Sequence, residues 1–204
     1  AFAPLTGAAS VPLGSEVDVR DGAIALQFTT DRRGRRASAV ASGGRFVVRQ
    51  PRRPGRIDRG QRPGTLVLSG PFAGCARPGA RTAAAAAGPG GPVAAAAARR
   101  RRRGRRGRRL QVRADGSIKT KGRWGAAIVR GTRWTVVDRC PADRRAGTLV
   151  AVAEGRVAVR AFALRRTVLV RAGRRFLAPA RRRGRGRRRR RAPSAGPARR
   201  ATRR

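Results

Sequence analysis

Apolar and polar positions alternate from Ala126 to Ala180, and glycines interrupt the alternation at regular points. Alternation with a period of two, broken by glycine, is typical of β-strands joined by tight turns. Glycine favours such turns because it adopts positive φ at little cost. We therefore predict four or five short strands here, with hairpin turns at Glu154-Gly155 and Ala172-Gly173. The alternating apolar positions include Val150, Val152, Val157, Val159, Val168 and Val170.

The N-terminal part of the chain shows the same patterning at lower density. Asp21-Gly22 lies between two alternating segments, which predicts a hairpin between strands Glu16–Val19 and Ala23–Phe28. Further turns are predicted at Val11–Ser15, Asp31–Gly34 and Asp115-Gly116, and further strands at Ala37–Ser42, Arg45–Arg49, Thr65–Ser69 and from Leu110 onward.

These elements predict an all-β fold, a small antiparallel sandwich or roll of short hairpin-linked strands. We divide the chain into a flexible lead-in (1–10), an N-terminal β half (11–75), a low-complexity linker rich in Ala, Gly, Pro and Arg (76–109), a second β half (110–180) and an Arg-rich tail (181–204). The linker and the tail are expected to be disordered, because dense like charge repels itself and buries little apolar surface.

The second β half contains three consecutive segments whose order and composition resemble those of a known protein family. They are Gly131-Thr132-Arg133-Trp134-Thr135-Val136, the segment Gly147 to Val159, and the strand Val168 to Gly173. In this order they resemble a FecR-type domain, and the whole chain is similar to exported FecR-domain proteins of high-GC actinobacteria. The resemblance implies a β fold and an extracytoplasmic location. The anti-sigma segment and membrane span of FecR proteins do not appear in this chain, so sigma-factor regulation is not expected.

The charge of the chain is extreme, with 52 Lys and Arg residues against nine Asp and Glu residues, a formal net charge of +43. A GC-biased genome would favour Arg, Ala, Gly and Pro, but codon bias alone would not deplete the acidic residues. The alternative explanation is an anionic partner, such as nucleic acid, a cell-wall polymer or anionic lipid.

No apolar stretch approaches the ~18 residues of a membrane span, which predicts a soluble or peripherally bound chain. Without an initiator Met, the chain is expected to be a mature chain or a fragment that has lost any signal peptide.

Two arginine runs are the strongest interaction signal. Arginine suits bidentate contact with phosphate, and the absence of interleaved aromatic residues argues against reading of base sequence. These runs are either solvated tails or arms that bind polyanions through charge. The candidate residues are Arg99, Arg100, Arg101, Arg102, Arg103, Arg105, Arg106, Arg181, Arg182, Arg183, Arg187, Arg188 and Arg189.

The chain has two cysteines, Cys75 and Cys140, each beside turn residues at the end of a predicted strand. We favour a disulfide between them, with two inert thiols as the alternative. Closing this loop would stabilise the fold by about 4 kcal/mol in the chain-entropy model. A zinc site is not expected, because zinc normally takes four ligands and the chain has no His.

The remaining chemistry-bearing residues do not form a catalytic pattern. Trp134 alternates with Val136 and is expected in the core, whereas Trp124 is a candidate ligand contact that could stack on a sugar or a base. Asp138 and Glu154 are interpreted as turn or ion-pair carboxylates rather than a catalytic pair. Without His, a nucleophile elbow or a phosphate-binding Gly loop, no enzyme, cofactor, metal or small-molecule substrate is predicted.

The leading hypothesis is a non-enzymatic, exported or cell-surface β-domain protein with a structural, interaction or sensory role. Its basic segments would bind anionic cell-wall or membrane polymers. The alternative is a ribosomal or nucleoid-type protein that binds nucleic acid without sequence specificity, which would weaken steeply with salt.

Overall fold

The computed structural model describes residues 2–53, 60–72, 75 and 107–181, and all regular structure among them is β-strand. The predicted all-β class is confirmed. The strands are β1 (Glu16–Asp18), β2 (Ala23–Thr29), β3 (Arg36–Ser42), β4 (Arg45–Arg49), β5 (Gly64–Leu68), β6 (Arg108–Lys121), β7 (Gly125–Asp138), β8 (Gly147–Glu154), β9 (Arg156–Ala161), β10 (Arg166–Arg171) and β11 (Arg175–Pro179).

Two long strands, β6 and β7, form the centre of the sheet and pair with each other along most of their 14 residues. The turn predicted at Asp115-Gly116 is wrong, because this dipeptide lies inside β6. It forms a bulge where the pairing with β7 shifts between Ala114 and Ser117, and Gly116 has a φ of 84°. An Asp-Gly pair serves a bulge as well as a turn, since both require a residue at positive φ.

The hairpin predicted at Glu154-Gly155 is also wrong. Strand β8 pairs with the second part of β7 and strand β9 with the first part, so β8 and β9 run one after the other along the same side of β7. The hairpin predicted at Ala172-Gly173 fails for the same reason, because β10 pairs with β9 whereas β11 pairs with β8. The turn that reverses the chain lies between β9 and β10, at residues 162–165.

Four glycines at positive φ lie where the long strands β6 and β7 and the consecutive strands β8–β9 and β10–β11 bend. Gly116, Gly131, Gly155 and Gly173 have φ values of 84°, 64°, 75° and 73° and interrupt β6, β7, β8–β9 and β10–β11 respectively. Hydrogen bonds join neighbouring paths here, from Ala172 N to Gly155 O (2.9 Å) and from Gly173 N to Val152 O (2.9 Å). We call these four residues the glycine crease.

The crease divides the sheet into two parts. One contains β2, β3, the first part of β6, the second part of β7, β8 and β11, and the other contains β1, β4, β5 and the remaining strand segments. The buried side chains of both parts form one core cluster, so the two predicted β halves are one body. Trp134 is an anchor of this core, as expected: it is 1% exposed, and its Nε1 donates to Thr120 Oγ1 (3.1 Å).

The N-terminal strands pair differently from the prediction. The hairpin expected at Asp21-Gly22 is wrong, because β1 pairs with β4, and β2 pairs with β3. The turn predicted at Asp31–Gly34 is confirmed and joins β2 to β3. β5 lies parallel to β6, whereas an antiparallel sandwich or roll was expected. Parallel pairing needs a long connection, which residues 69–107 supply.

The C-terminal boundary of the predicted linker also differs from the structure. Strand β6 begins at Arg108, inside the segment 76–109 that was expected to be disordered. Disorder was also expected for residues 76–106 and 182–204, which lie outside the described residues.

Candidate functional site

The tip of the β6–β7 hairpin folds back onto the open end of the same hairpin. The carboxylate of Asp138, the last residue of β7, is 0% exposed and accepts hydrogen bonds from Thr148 Oγ1 (2.5 Å) and from the backbone N of Arg123 in the tip (2.8 Å). Thr148 Oγ1 in turn accepts from the backbone N of Trp124 (3.0 Å). We call Gly122, Arg123, Asp138 and Thr148 the latch, because they hold the bent hairpin closed.

The electrostatics of the latch follow from its burial. Burial raises the pKa of Asp138 above its ordinary value, because removal from water disfavours the charged carboxylate. The hydrogen bonds from Thr148 and Arg123 N and the nearby charge of Arg108 oppose this shift. Arg108 lies opposite Asp138 in the strand register, and burial lowers its pKa while the charge of Asp138 raises it.

The two cysteines form a disulfide beside the latch, which confirms the favoured pairing. Cys75 and Cys140 are bonded, with their Cα atoms 5.6 Å apart. Cys140 follows Asp138 by two residues and is 3% exposed. The bond therefore attaches the end of the N-terminal half to the loop between β7 and β8.

An aromatic and cationic cluster covers the same end of the molecule. The rings of Phe72 and Trp124 have centroids 6.2 Å apart, with an interplanar angle of 49°. The guanidinium of Arg108 lies 4.2 Å from the Phe72 ring, and that of Arg123 lies 5.4 Å from the Trp124 ring, within the range of cation–π contacts. Trp124, the candidate ligand contact, is half-buried, and its ring contacts Phe72 and Arg123 of its own chain.

The two carboxylates weighed as a catalytic pair are far apart. Glu154 is 60% exposed, and its Oε1 lies 3.6 Å from Arg133 Nη1 on the neighbouring strand. Asp138 lies five residues further along β7 than Arg133, which is about 16 Å of extended strand. Carboxylates that share a glycosidic bond lie within about 10 Å of each other. The positions of Asp138 and Glu154 therefore suit a structural role and a surface ion pair.

A cleft lined by arginines lies beside the β2–β3 turn. Its volume is about 530 Å³. We call it the arginine cleft. Its lining residues are Asp31, Arg32, Arg33, Arg35, Arg52, Arg53, Gly60, Gln61 and Arg62.

Hydrogen bonds to backbone groups hold the walls of the arginine cleft in place. Asp31 Oδ1 accepts from the backbone N of Arg33 (2.9 Å) and of Arg35 (3.0 Å), which shapes the turn. The Arg62 segment is joined to the turn through Arg62 N to Thr30 O (2.6 Å). Gln50 Nε2 donates to Thr29 O (2.7 Å) and to Arg62 O (2.8 Å), which bridges the two walls.

The chemistry of the arginine cleft favours an anion. Six arginines line it, and among the described lining residues Asp31 supplies the one carboxylate, which is already engaged by the turn and by Arg35 Nε (3.6 Å). Guanidinium groups bind phosphate and carboxylate oxygens in a planar, bidentate geometry. Like charges gathered in one cleft repel one another until a counter-charge binds.

The arginines predicted to bind polyanions are mostly outside the described residues. Arg181 is described and is exposed just after β11. The arginine cleft was missed, because its residues come from three separate segments whose local sequences show only a high density of Arg. The candidates outside the described residues are Arg99, Arg100, Arg101, Arg102, Arg103, Arg105, Arg106, Arg182, Arg183, Arg187, Arg188 and Arg189.

The described part of the chain contains no helix with the length and apolar character needed to cross a membrane. Within the same residues, no three His, Cys, Asp or Glu side chains are grouped as potential metal ligands. Comparison of the chain with protein-family models, with curated proteins and with solved structures finds no match in any of the three.

Proposed function

We propose that this chain is a non-enzymatic, exported or cell-surface β-domain protein that binds anionic polymers of the cell envelope. The arginine cleft is the observation that carries the proposal, because six arginines line it and the one carboxylate among its described lining residues is already engaged. The net charge of +43 adds a long-range attraction for any polyanion. A polymer rather than a small substrate is favoured, since positive charge extends beyond the cleft over much of the chain.

The disulfide supports the extracytoplasmic part of the proposal. Disulfides persist in oxidising compartments and are rare in the cytosol, where thiols are kept reduced. The bond between Cys75 and the 3% exposed Cys140 is therefore consistent with an exported chain. The FecR-type resemblance of residues 131–173 supports the same location.

The test is binding of the full chain to poly(glycerol phosphate), measured by fluorescence titration over a series of salt concentrations. The cleft variant Arg32→Gln/Arg33→Gln/Arg52→Gln should weaken binding by about tenfold and should flatten the salt dependence, because fewer counterions are released. Chemical-shift changes on saturation should concentrate at the amides of residues 31–35 and 60–62.

A matched control removes the same charge elsewhere. Arg113, Arg174 and Arg175 are exposed and do not line the cleft, so their triple replacement by Gln should reduce affinity much less. Equal losses in the two triple variants would mean that diffuse charge binds the polymer and that the cleft has no special role. Tighter binding to a duplex DNA than to poly(glycerol phosphate) at equal salt would favour the nucleic-acid alternative.

A further inference from the structure

Two turns of the sheet meet at the disulfide-bonded end of the molecule. Residues 122–124 join β6 to β7, and residues 162–165 join β9 to β10. The backbone N of Phe162 donates to the backbone O of Trp124 (3.1 Å), which fixes the two turns side by side. We call this pair of turns the aromatic end.

The aromatic end exposes apolar side chains where turns ordinarily carry polar ones. Phe162 is 39% exposed and Leu164 is 44% exposed, although both lie in a tight turn. The turn also holds Arg165 at a φ of 52°, a conformation that L-residues other than Asn and Asp rarely adopt. A strained turn that presents apolar side chains to solvent has a cost in the free protein, which indicates a role for the exposed tip.

Positive charge surrounds these apolar side chains. Arg160, Arg165 and Arg166 are exposed on the same hairpin, and Arg123 lies over the Trp124 ring. Residues 155–181 contain no Asp or Glu. An exposed Phe and Leu, a half-buried Trp and a ring of arginines together have the composition of surfaces that bind at the interface of anionic membranes.

From this combination we infer that the aromatic end docks the protein on an anionic lipid bilayer, with Phe162 and Leu164 inserted among the acyl chains and the arginines on the phosphates. The inference rests on the proposed function and specifies the anionic surface that this end of the molecule contacts. Sugar or base stacking is less suitable, because the Trp124 ring already contacts Phe72. A hydrophilic polymer also offers no apolar phase that would bury Leu164.

The test uses the full chain with vesicles of phosphatidylglycerol and phosphatidylcholine in equal amounts. Trp134 is 1% exposed, so quenching by brominated acyl chains should report on Trp124, the other tryptophan of the chain. The wild type should co-sediment with these vesicles and show quenching, and it should bind pure phosphatidylcholine at least about tenfold more weakly. The variant Phe162→Ser/Leu164→Ser should lose about tenfold in vesicle affinity together with the quenching.

The control variant is Leu13→Ser/Val40→Ser, which removes two apolar side chains that are 60% and 47% exposed elsewhere on the molecule. It should bind vesicles as the wild type does. Because Phe162 is partly buried, the single variant Leu164→Gln is measured as well, with circular dichroism to verify folding. Its affinity for the vesicles should also fall, without loss of folded protein.

Wild-type affinity and quenching in Phe162→Ser/Leu164→Ser and in Leu164→Gln would overturn the inference. Binding to soluble poly(glycerol phosphate) is measured in parallel, which separates the two proposals. A chain that binds the soluble polymer but shows no acyl-chain quenching retains the proposed function and refutes membrane docking. A chain that binds neither refutes both.

Discussion

The backbone N of Arg123 donates a hydrogen bond of 2.8 Å to the buried carboxylate of Asp138, although the two residues occupy opposite ends of the β6–β7 hairpin. A straight hairpin of this length would hold these residues about 45 Å apart. The contact exists because the glycine crease bends both strands. It brings the tip of the hairpin back to its open end, where the disulfide and the Phe72–Trp124 contact also lie.

The packing of the latch predicts that a side chain at position 122 destabilises the folded protein. A Cβ at this position would overlap Asp138 Oδ1 and both Oγ1 and Cγ2 of Thr148. Gly122→Ala should therefore lower the free energy of unfolding by about 1–3 kcal/mol, measured by urea denaturation. Gly22→Ala is the matched control, because no atom lies within 4 Å of a Cβ there and neither glycine has positive φ. Equal stability of the two variants would contradict the packing described for the latch.

The glycine crease predicts that two glycines of nearly equal φ differ in their tolerance of alanine. Gly155 and Gly173 have φ values of 75° and 73°, so backbone strain should cost each variant about 1 kcal/mol. A Cβ at 155 would also approach Thr132 and the backbone O of Gly131, whereas the space at 173 is open. Gly155→Ala should therefore be less stable than Gly173→Ala by a further ~1–3 kcal/mol in thermal or urea unfolding. A Gly173→Ala variant less stable than Gly155→Ala would contradict the close packing described around Gly155.

The disulfide predicts a redox-dependent stability. Its loop spans 65 residues, so reduction should lower the free energy of unfolding by about 4 kcal/mol in the chain-entropy model. Urea unfolding with and without dithiothreitol measures this difference. Cys75→Ser/Cys140→Ser should match the reduced wild type and should not respond to dithiothreitol. A wild type that is equally stable in both conditions would show that the bond contributes little to the folded state.

Two aspartates predict opposite responses of stability to pH. Hydrogen bonds from the Arg20 side chain are the largest cause that lowers the pKa of Asp18 to about 2, from its ordinary 3.8. Asp18 therefore stabilises the fold above pH 3.8 and loses this contribution as the pH falls through about 2. Burial raises the pKa of Asp138, whose contribution is thus present below pH 3.8 and is lost as the pH rises through the folded-state value.

Urea unfolding of Asp18→Asn and Asp138→Asn, each compared with the wild type from about pH 2 to about pH 6, measures both effects. The stability deficit of Asp18→Asn should grow with rising pH, whereas that of Asp138→Asn should shrink. Asp143→Asn, at an exposed carboxylate in the loop after Cys140, serves as the control for the substitution itself. Deficits that change in the same direction would contradict the burial assigned to Asp138.

The sequence alone predicts the all-β class, the positions of most strands and the core role of Trp134, and it favours a disulfide between Cys75 and Cys140. These follow from local information, because alternation with a period of two identifies a strand wherever it pairs. The number of cysteines left a single intramolecular pairing to consider. The same local information places glycine at positions of positive φ, but it does not distinguish a turn from a bend within a long strand.

Strand pairing depends on tertiary contacts, which explains why the hairpins predicted at Asp21-Gly22, Glu154-Gly155 and Ala172-Gly173 are wrong. Each dipeptide has the residues of a tight turn, yet its flanking strands pair elsewhere: β1 with β4 and β2 with β3, β8 and β9 with successive parts of β7, and β10 and β11 with β9 and β8. The arginine cleft and the aromatic end arise in the same way. Their residues come from segments far apart in sequence, and only the bent sheet brings them together.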